Sequence, residues 1–118
     1  MAIFSVDELS RELRNFATER DWEQFHAPKN LSMALIVEAA ELVEQFQWLT
    51  AEESERPDGE RRARIEAELA DILIYVVRLA DRLDIDLPAA VTAKIEQNRR
   101  KYPAELVRGS ARKYDEYP

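Results

Sequence analysis

A chain of 118 residues that is 46% hydrophobic can bury one compact core but not two independent ones. Its formal net charge of −7 excludes a general nucleic-acid or anionic-membrane binder, because such proteins meet phosphates with a basic surface. The absence of cysteine removes disulfide frameworks and thiolate metal sites.

The elements read as helices throughout, since Ala, Leu, Glu and Arg dominate and only Gly59 and Gly109 offer turn glycine. Ser5 and Glu8 fit an S-x-x-E capping box, opening a first helix that runs to about Asp21. Val6, Leu9, Leu13, Phe16 and Ala17 follow its period. Trp22 to Pro28 reads as a connection, because a proline disfavours helix in the residue before it. Asn30 is the expected N-cap of a second helix reaching about Leu49. Leu31, Leu35, Ile36, Val37, Leu42, Val43 and Phe46 make that helix apolar on almost every side, which predicts burial on several faces.

Thr50 to Gly59 is polar and contains the turn signal Pro57-Asp58-Gly59. A third helix is expected from about Glu60 to Leu83, with Ile65, Leu69, Ile72, Leu73, Val76 and Leu83 as its apolar stripe. Asp86 caps a fourth, which tolerates Pro88 in its first turn and ends near Lys101. Residues 104–118 lack periodicity and read as an extended C-terminal tail. Long helices joined by short loops predict an all-α antiparallel four-helix bundle, a single domain over residues 1–118. No segment approaches the roughly 18 apolar residues of a membrane span. No basic stretch leading into an apolar run marks a signal peptide, so a cytoplasmic location is expected.

Acidic residues three apart occur at 38/41, 41/44, 52/55, 55/58, 68/71 and 81/84, a frequency close to chance for a chain with 24 acidic residues. Context separates them. Glu52, Glu55 and Asp58 lie in the polar loop, whereas Glu38 and Glu41 sit in the most apolar helix. At about 100° per residue, Glu38 and Glu41 are about 60° apart on one face. Glu68, Asp71 and Tyr75 make a matching stripe on the third helix. An unpaired carboxylate in apolar surroundings costs several kcal/mol, and four together repel. A divalent cation answers both problems, and so would arginines or lysines from neighbouring helices; the residues leave both readings open. Four hard oxygen donors without sulfur suit Mg²⁺, with Mn²⁺ as a substitute, rather than zinc. A di-iron bundle uses Glu-x-x-His motifs, and the only histidine, His26, lies outside both pairs.

The fourth helix carries Lys94, Asn98, Arg99, Arg100 and Lys101, followed by Tyr102. Lys94, Asn98 and Lys101 share a face suited to a polyphosphate, although cations at a helix C-terminus also complement its dipole. Trp22, Phe25, His26 and Trp48 cluster near helix ends, where they could stack on a nucleobase or simply pack.

FATERDWEQFHAPKNLSMAL, EAAELVEQFQW, ELADILIYVVRLADRLDIDLPAAV, KIEQNRRKYP and RGSARKY together resemble the MazG-related all-α nucleoside triphosphate pyrophosphohydrolases, in particular their dCTP pyrophosphatase branch. The resemblance extends from near Phe4 to Tyr114. It implies that Glu38, Glu41, Glu68 and Asp71 are catalytic and hold Mg²⁺ against a triphosphate, which water attacks at the α-phosphorus to give a monophosphate and pyrophosphate. It places Lys94, Asn98, Arg99 and Tyr102 near the phosphates and sugar, and Trp22 to His26, Trp48 and Tyr75 around the nucleoside. It also implies a homotetramer, a dimer of dimers with sites shared between chains. Leu13 stands where eukaryotic members of the branch tend to carry a histidine, so base selectivity is the property least tied to residues present here. Two other functions compete: a broader house-cleaning dNTP pyrophosphatase, and a non-catalytic helical module whose acids bind basic partners.

Overall fold

The computed structural model describes residue 2 and residues 5–116, and all regular structure among them is helical. Its contacts group into two compact units, Met1–Ile85 and Asp86–Pro118.

In the first unit, α1 (Val6–Glu19) opens on Ser5, whose Oγ accepts the Glu8 N–H at 3.1 Å. It stops two residues before the expected Asp21. Asp21 turns left-handed at φ 55°, and the Trp22 N–H reaches back to the Ala17 carbonyl at 2.9 Å. This reversal is the Schellman ending of a helix, with an aspartate in the place glycine usually takes. It throws Trp22 back against Phe16 at a ring-centroid separation of 5.7 Å. One 3₁₀ turn, Glu23–Phe25, follows.

α2 (Pro28–Glu44) begins earlier than the sequence predicts. Ala27, not Asn30, is the N-cap, because Pro28 supplies a preset φ at the first helical position, where no N–H partner is needed. The Asn30 amide instead donates to the Phe25 carbonyl at 3.3 Å. Turns carry the chain from Gln45 to Trp48. The polar stretch after it contains a short helix, α3 (Ala51–Ser54), made by a reciprocal Thr50–Glu53 capping box. Asp58 then caps α4 (Gly59–Arg82), accepting the Arg61 N–H at 2.7 Å. The Arg61 guanidinium donates to the Gln45 carbonyl, tying the start of α4 to the end of α2. α4 closes in a second left-handed aspartate turn, at Asp84 with φ 55°.

α4 is the centre of this unit and packs against both α2 and α1. Ala17, Leu31, Val77 and Ala80, one or two from each of the three helices, are its buried apolar residues among those described. The expected stripe on α4 needs correction. Leu69 and Leu73 are half-exposed, and burial falls on Val77, Arg78 and Ala80. α2 is likewise not enclosed within one chain: Ile36, Val37 and Val43 face outward, Ile36 at 65% exposure. Packing on α4 alone cannot cover a helix that is apolar all round.

The second unit consists of α5 (Leu87–Lys101), capped by Asp86 through the Ala89 N–H at 3.0 Å, and α6 (Ala104–Val107). α6 and a 3₁₀ turn at Tyr114–Glu116 lie in the stretch expected to be extended. Pro103 starts the short helix by offering its carbonyl to the Leu106 and Val107 N–H groups. No described helix is long and apolar enough to cross a membrane.

Candidate active site

The packing of α2 on α4 brings Glu38 and Glu41 to Glu68. One carboxylate oxygen from each lies within 4.8 Å of the other two. Glu38 Oε2 and Glu68 Oε2 are buried with no hydrogen-bond partner. None of the three enters an ion pair with a described cation. The salt-bridge reading therefore fails for this cluster. Salt bridges do hold Asp81, which pairs with Arg14 and Arg78.

Crowding alters the carboxyls. Glu38 is held above the ordinary carboxylate range, first by the close approach of the Glu68 carboxyl, then by burial and by the charge on Asp71. Glu41 is raised chiefly by its contact with Glu38. Asp71, one turn beyond Glu68, acts on the cluster through charge and also raises the Tyr75 hydroxyl, after burial and Glu38. Like-charged oxygens this close, two of them orphaned, are the donor set a hard divalent cation needs. The residues fit Mg²⁺ or Mn²⁺.

Asp71 joins this cluster to a cavity of about 280 Å³. Leu13 and Phe16 of α1 and Trp22 and His26 of the connection line one side; Asp71, Ile74, Tyr75 and Arg78 of α4 line the other. Trp22 meets Phe16 edge-on at 70° and His26 at 65°, with centroids 5.7 and 6.5 Å away. The Arg20 guanidinium lies 3.6 Å over the far ring of this row, Phe16. The left-handed turn at Asp21 positions Trp22, and the 3₁₀ turn after it positions His26.

Trp22, His26 and Tyr75 thus meet at one pocket beside the carboxylates. Trp48 does not line it; it lies in the turn after α2 at 87% exposure. Lys94, Asn98 and Arg99 lie on α5 and Tyr102 caps it, all in the second unit. There Lys94 Nζ donates to Gln97 Oε1 at 3.0 Å, and Arg99 pairs with Glu96 at 3.2 Å. The sequence reading missed Arg78, a pocket residue only 3% exposed. The available signal was a lone cation inside the apolar run Ile72–Ala80, with an acid three residues on.

Fold and site define an all-α protein with an acidic centre built across two packed helices. Residues 33–117 match the model of the MazG-like family, and the chain belongs to that family. It is 50% identical over 117 residues to human dCTP pyrophosphatase 1, covering 97% of this chain and 68% of that protein. The bovine dCTP pyrophosphatase 1 is 49% identical over 116 residues, with 97% and 69% covered. The crystal structure of a pyrophosphatase from Archaeoglobus fulgidus superposes with a TM-score of 0.79 at 39% identity, covering 87% of this chain and 96% of that one.

Proposed function

We propose that this chain is a Mg²⁺-dependent nucleoside triphosphate pyrophosphohydrolase that converts dCTP, or a modified dCTP, to dCMP and pyrophosphate. The observation that carries the reading is the Glu38–Glu41–Glu68 cluster, unpaired and partly orphaned, joined through Asp71 to an aromatic pocket. Family membership and the names of its relatives support the substrate. A non-catalytic module gives no reason to gather repelling acids beside an aromatic cavity.

Glu38, Glu41, Glu68 and Asp71 hold the ion. When bound, Mg²⁺ supplies the charge neutralisation that a triphosphate and its departing pyrophosphate require. Trp22 and Tyr75 flank the nucleoside and exclude water from it. Lys94, Asn98, Arg99 and Tyr102 are the groups assigned to phosphates and sugar, and Trp48 to the nucleoside. A water oxygen attacks the α-phosphorus and the bond to the bridging oxygen breaks. Pyrophosphate leaves with that oxygen. A carboxylate of the cluster, Glu38 or Glu41, orients the water and takes its proton.

The outward apolar surface of α2 supports an oligomer of identical chains. With four buried apolar residues among those described, and Ile36, Val37, Val43, Leu69 and Leu73 exposed, the chain is short of core for its length. A second copy covering α2 supplies the missing burial, and a homotetramer built as a dimer of dimers is the assembly proposed.

The test is pyrophosphate release from each dNTP with and without Mg²⁺, using the parent and Asp71→Asn. The parent should act on dCTP and require the cation. Asp71→Asn should lose about a hundredfold or more in kcat while its helical circular dichroism stays unchanged. Near-full activity in the variant would overturn the assignment.

A further inference from the structure

Arg78 is the one buried charged residue among those described, set in the apolar stretch Ile72–Ala80 of α4. A guanidinium in such a place persists only with partners. Its Nε donates to His26 Nδ1 at 3.1 Å and its Nη1 to Asp81 Oδ2 at 3.1 Å. Asp81 is held from its other side by Arg14, with Nη2 to Oδ1 at 2.6 Å and Nε to Oδ2 at 3.2 Å. The third nitrogen of Arg78, Nη2, is buried and has no acceptor. Arg14, Asp81, Arg78 and His26 therefore form a chain of charge and hydrogen bonds ending at the pocket, which both Arg78 and His26 line.

This chain has a chemical consequence for the imidazole. A guanidinium can only donate, so His26 Nδ1 must be the accepting nitrogen and the ring proton must sit on Nε2. Burial, then the charges of Arg78 and Arg82, keep the ring in its neutral form against the pull of Glu23. We propose that Arg78 is a specificity-determining residue of the pocket: it fixes His26 as a donor through Nε2 and sets its own positive charge behind that ring, so the pocket selects a base edge that offers an acceptor.

The inference rests on the nucleotide reading above. Cytosine presents N3 and O2 side by side as acceptors. Uracil and thymine place an N3–H donor there, which opposes the His26 Nε2–H and leaves both donors unpaired. Unpaired buried donors discriminate far better than shape alone.

The experiment uses the full chain and two substitutions. Arg78→Met keeps length and removes every donor. Arg78→Lys keeps the charge facing Asp81 but lacks the fork that reaches His26 as well. Because the chain has one histidine, two-bond ¹H–¹⁵N correlation reports the tautomer of His26 without ambiguity. The parent should be protonated at Nε2, and both variants should show a tautomer mixture. In Arg78→Met, kcat/KM for dCTP should fall about tenfold, mainly through KM, on the loss of one oriented hydrogen bond and of the charge that polarises it. Activity on dUTP should stay within about twofold, so the dCTP-to-dUTP ratio collapses.

A merely structural role would depress both nucleotides alike, and that result would overturn the proposal. So would a parent ring protonated at Nδ1, or an unchanged ratio in Arg78→Met. If that variant loses its helical signal, Arg78→Lys decides: retention of the parent tautomer and ratio overturns the proposal, and their loss supports it. Failure of the parent to release pyrophosphate from any nucleotide would instead overturn the functional reading. The tautomer measurement separates the two failures, since it needs no nucleotide.

Discussion

Glu38→Gln should stabilise the cation-free protein while weakening its response to Mg²⁺. Glu38 and Glu68 each bury an oxygen with no donor, and the Glu38 carboxyl is raised first by the nearby Glu68 carboxyl. Glutamine has nearly the same volume, removes one charge from the repelling set and brings a permanent amide donor. A hydrogen bond to a charged acceptor contributes about 1.5–3 kcal/mol when well buried. The cluster is half-buried, so about 1 kcal/mol is expected. With an unfolding entropy of about 2.1 cal/mol/K per residue, that raises Tm by about 4 °C in a chain of this length. Mg²⁺ at a hundred times its Kd adds about 2.7 kcal/mol to the parent, about 11 °C on the same scale. The variant, lacking one charged ligand, should lose more than half of that shift.

The pH dependence supplies a second check. Because the Glu38 carboxyl is raised on folding, its favourable contribution is present in acid and lost as pH rises through its elevated titration. Glutamine does not titrate, so the Tm gap between variant and parent should widen towards neutral pH and close near pH 4, about the ordinary glutamate value. Differential scanning fluorimetry across pH, with and without Mg²⁺, measures all of this. A Glu38→Gln protein less stable than its parent at neutral pH, yet shifted equally by Mg²⁺, would refute the reasoning.

Asp81→Asn leaves the buried Arg78 without its counter-ion and should cost about 2–3 kcal/mol at neutral pH, with the half-exposed Arg14 adding little. Arg14 holds the Asp81 carboxyl below the usual range, so its stabilisation is present above ordinary carboxylate pKa values and lost as pH falls through the lowered one; parent and variant melting curves should converge in strong acid. Ile36→Glu places a charge on the outward face of α2 and should reduce the mass measured by light scattering; an unchanged mass would remove that face from the assembly. Asp58→Ala deletes the N-cap of α4 and should lower Tm by about 4 °C, on a loss of about 1 kcal/mol. A Tm shift under 1 °C would show that the cap is redundant.

Much of the helical framework is local, and local chemistry is legible in a sequence. Ser5 and Asp86 announce two helix starts, and both are observed caps. Lys101 before Tyr102-Pro103 marks a helix end. The misread start of α2 was also local: Asn30 and Pro28 compete for the same role, and the proline's preset φ wins. The two left-handed aspartate turns, at Asp21 and Asp84, gave no warning, because glycine usually holds that position.

Glu38 and Glu41 stood out by being charged in an apolar helix, and Glu68 by its stripe, so the acidic cluster was legible before any packing was known. Whether those acids faced cations or one another was not, since that depends on which side of α4 meets α2. The packing of α1 on α4 likewise made Arg78 a pocket residue, while Leu69 and Leu73 were left outside. By itself the sequence determined helices, their caps and the chemistry of an acidic centre, because spacing and side-chain type are properties of a single segment. Only the tertiary structure decided that Glu38, Glu41 and Glu68 pair with no described cation, that Asp71 lines an aromatic cavity beside them and that Arg78 donates to His26. Each of these is a relation between segments far apart in the chain, set by how α1, α2 and α4 share one buried face.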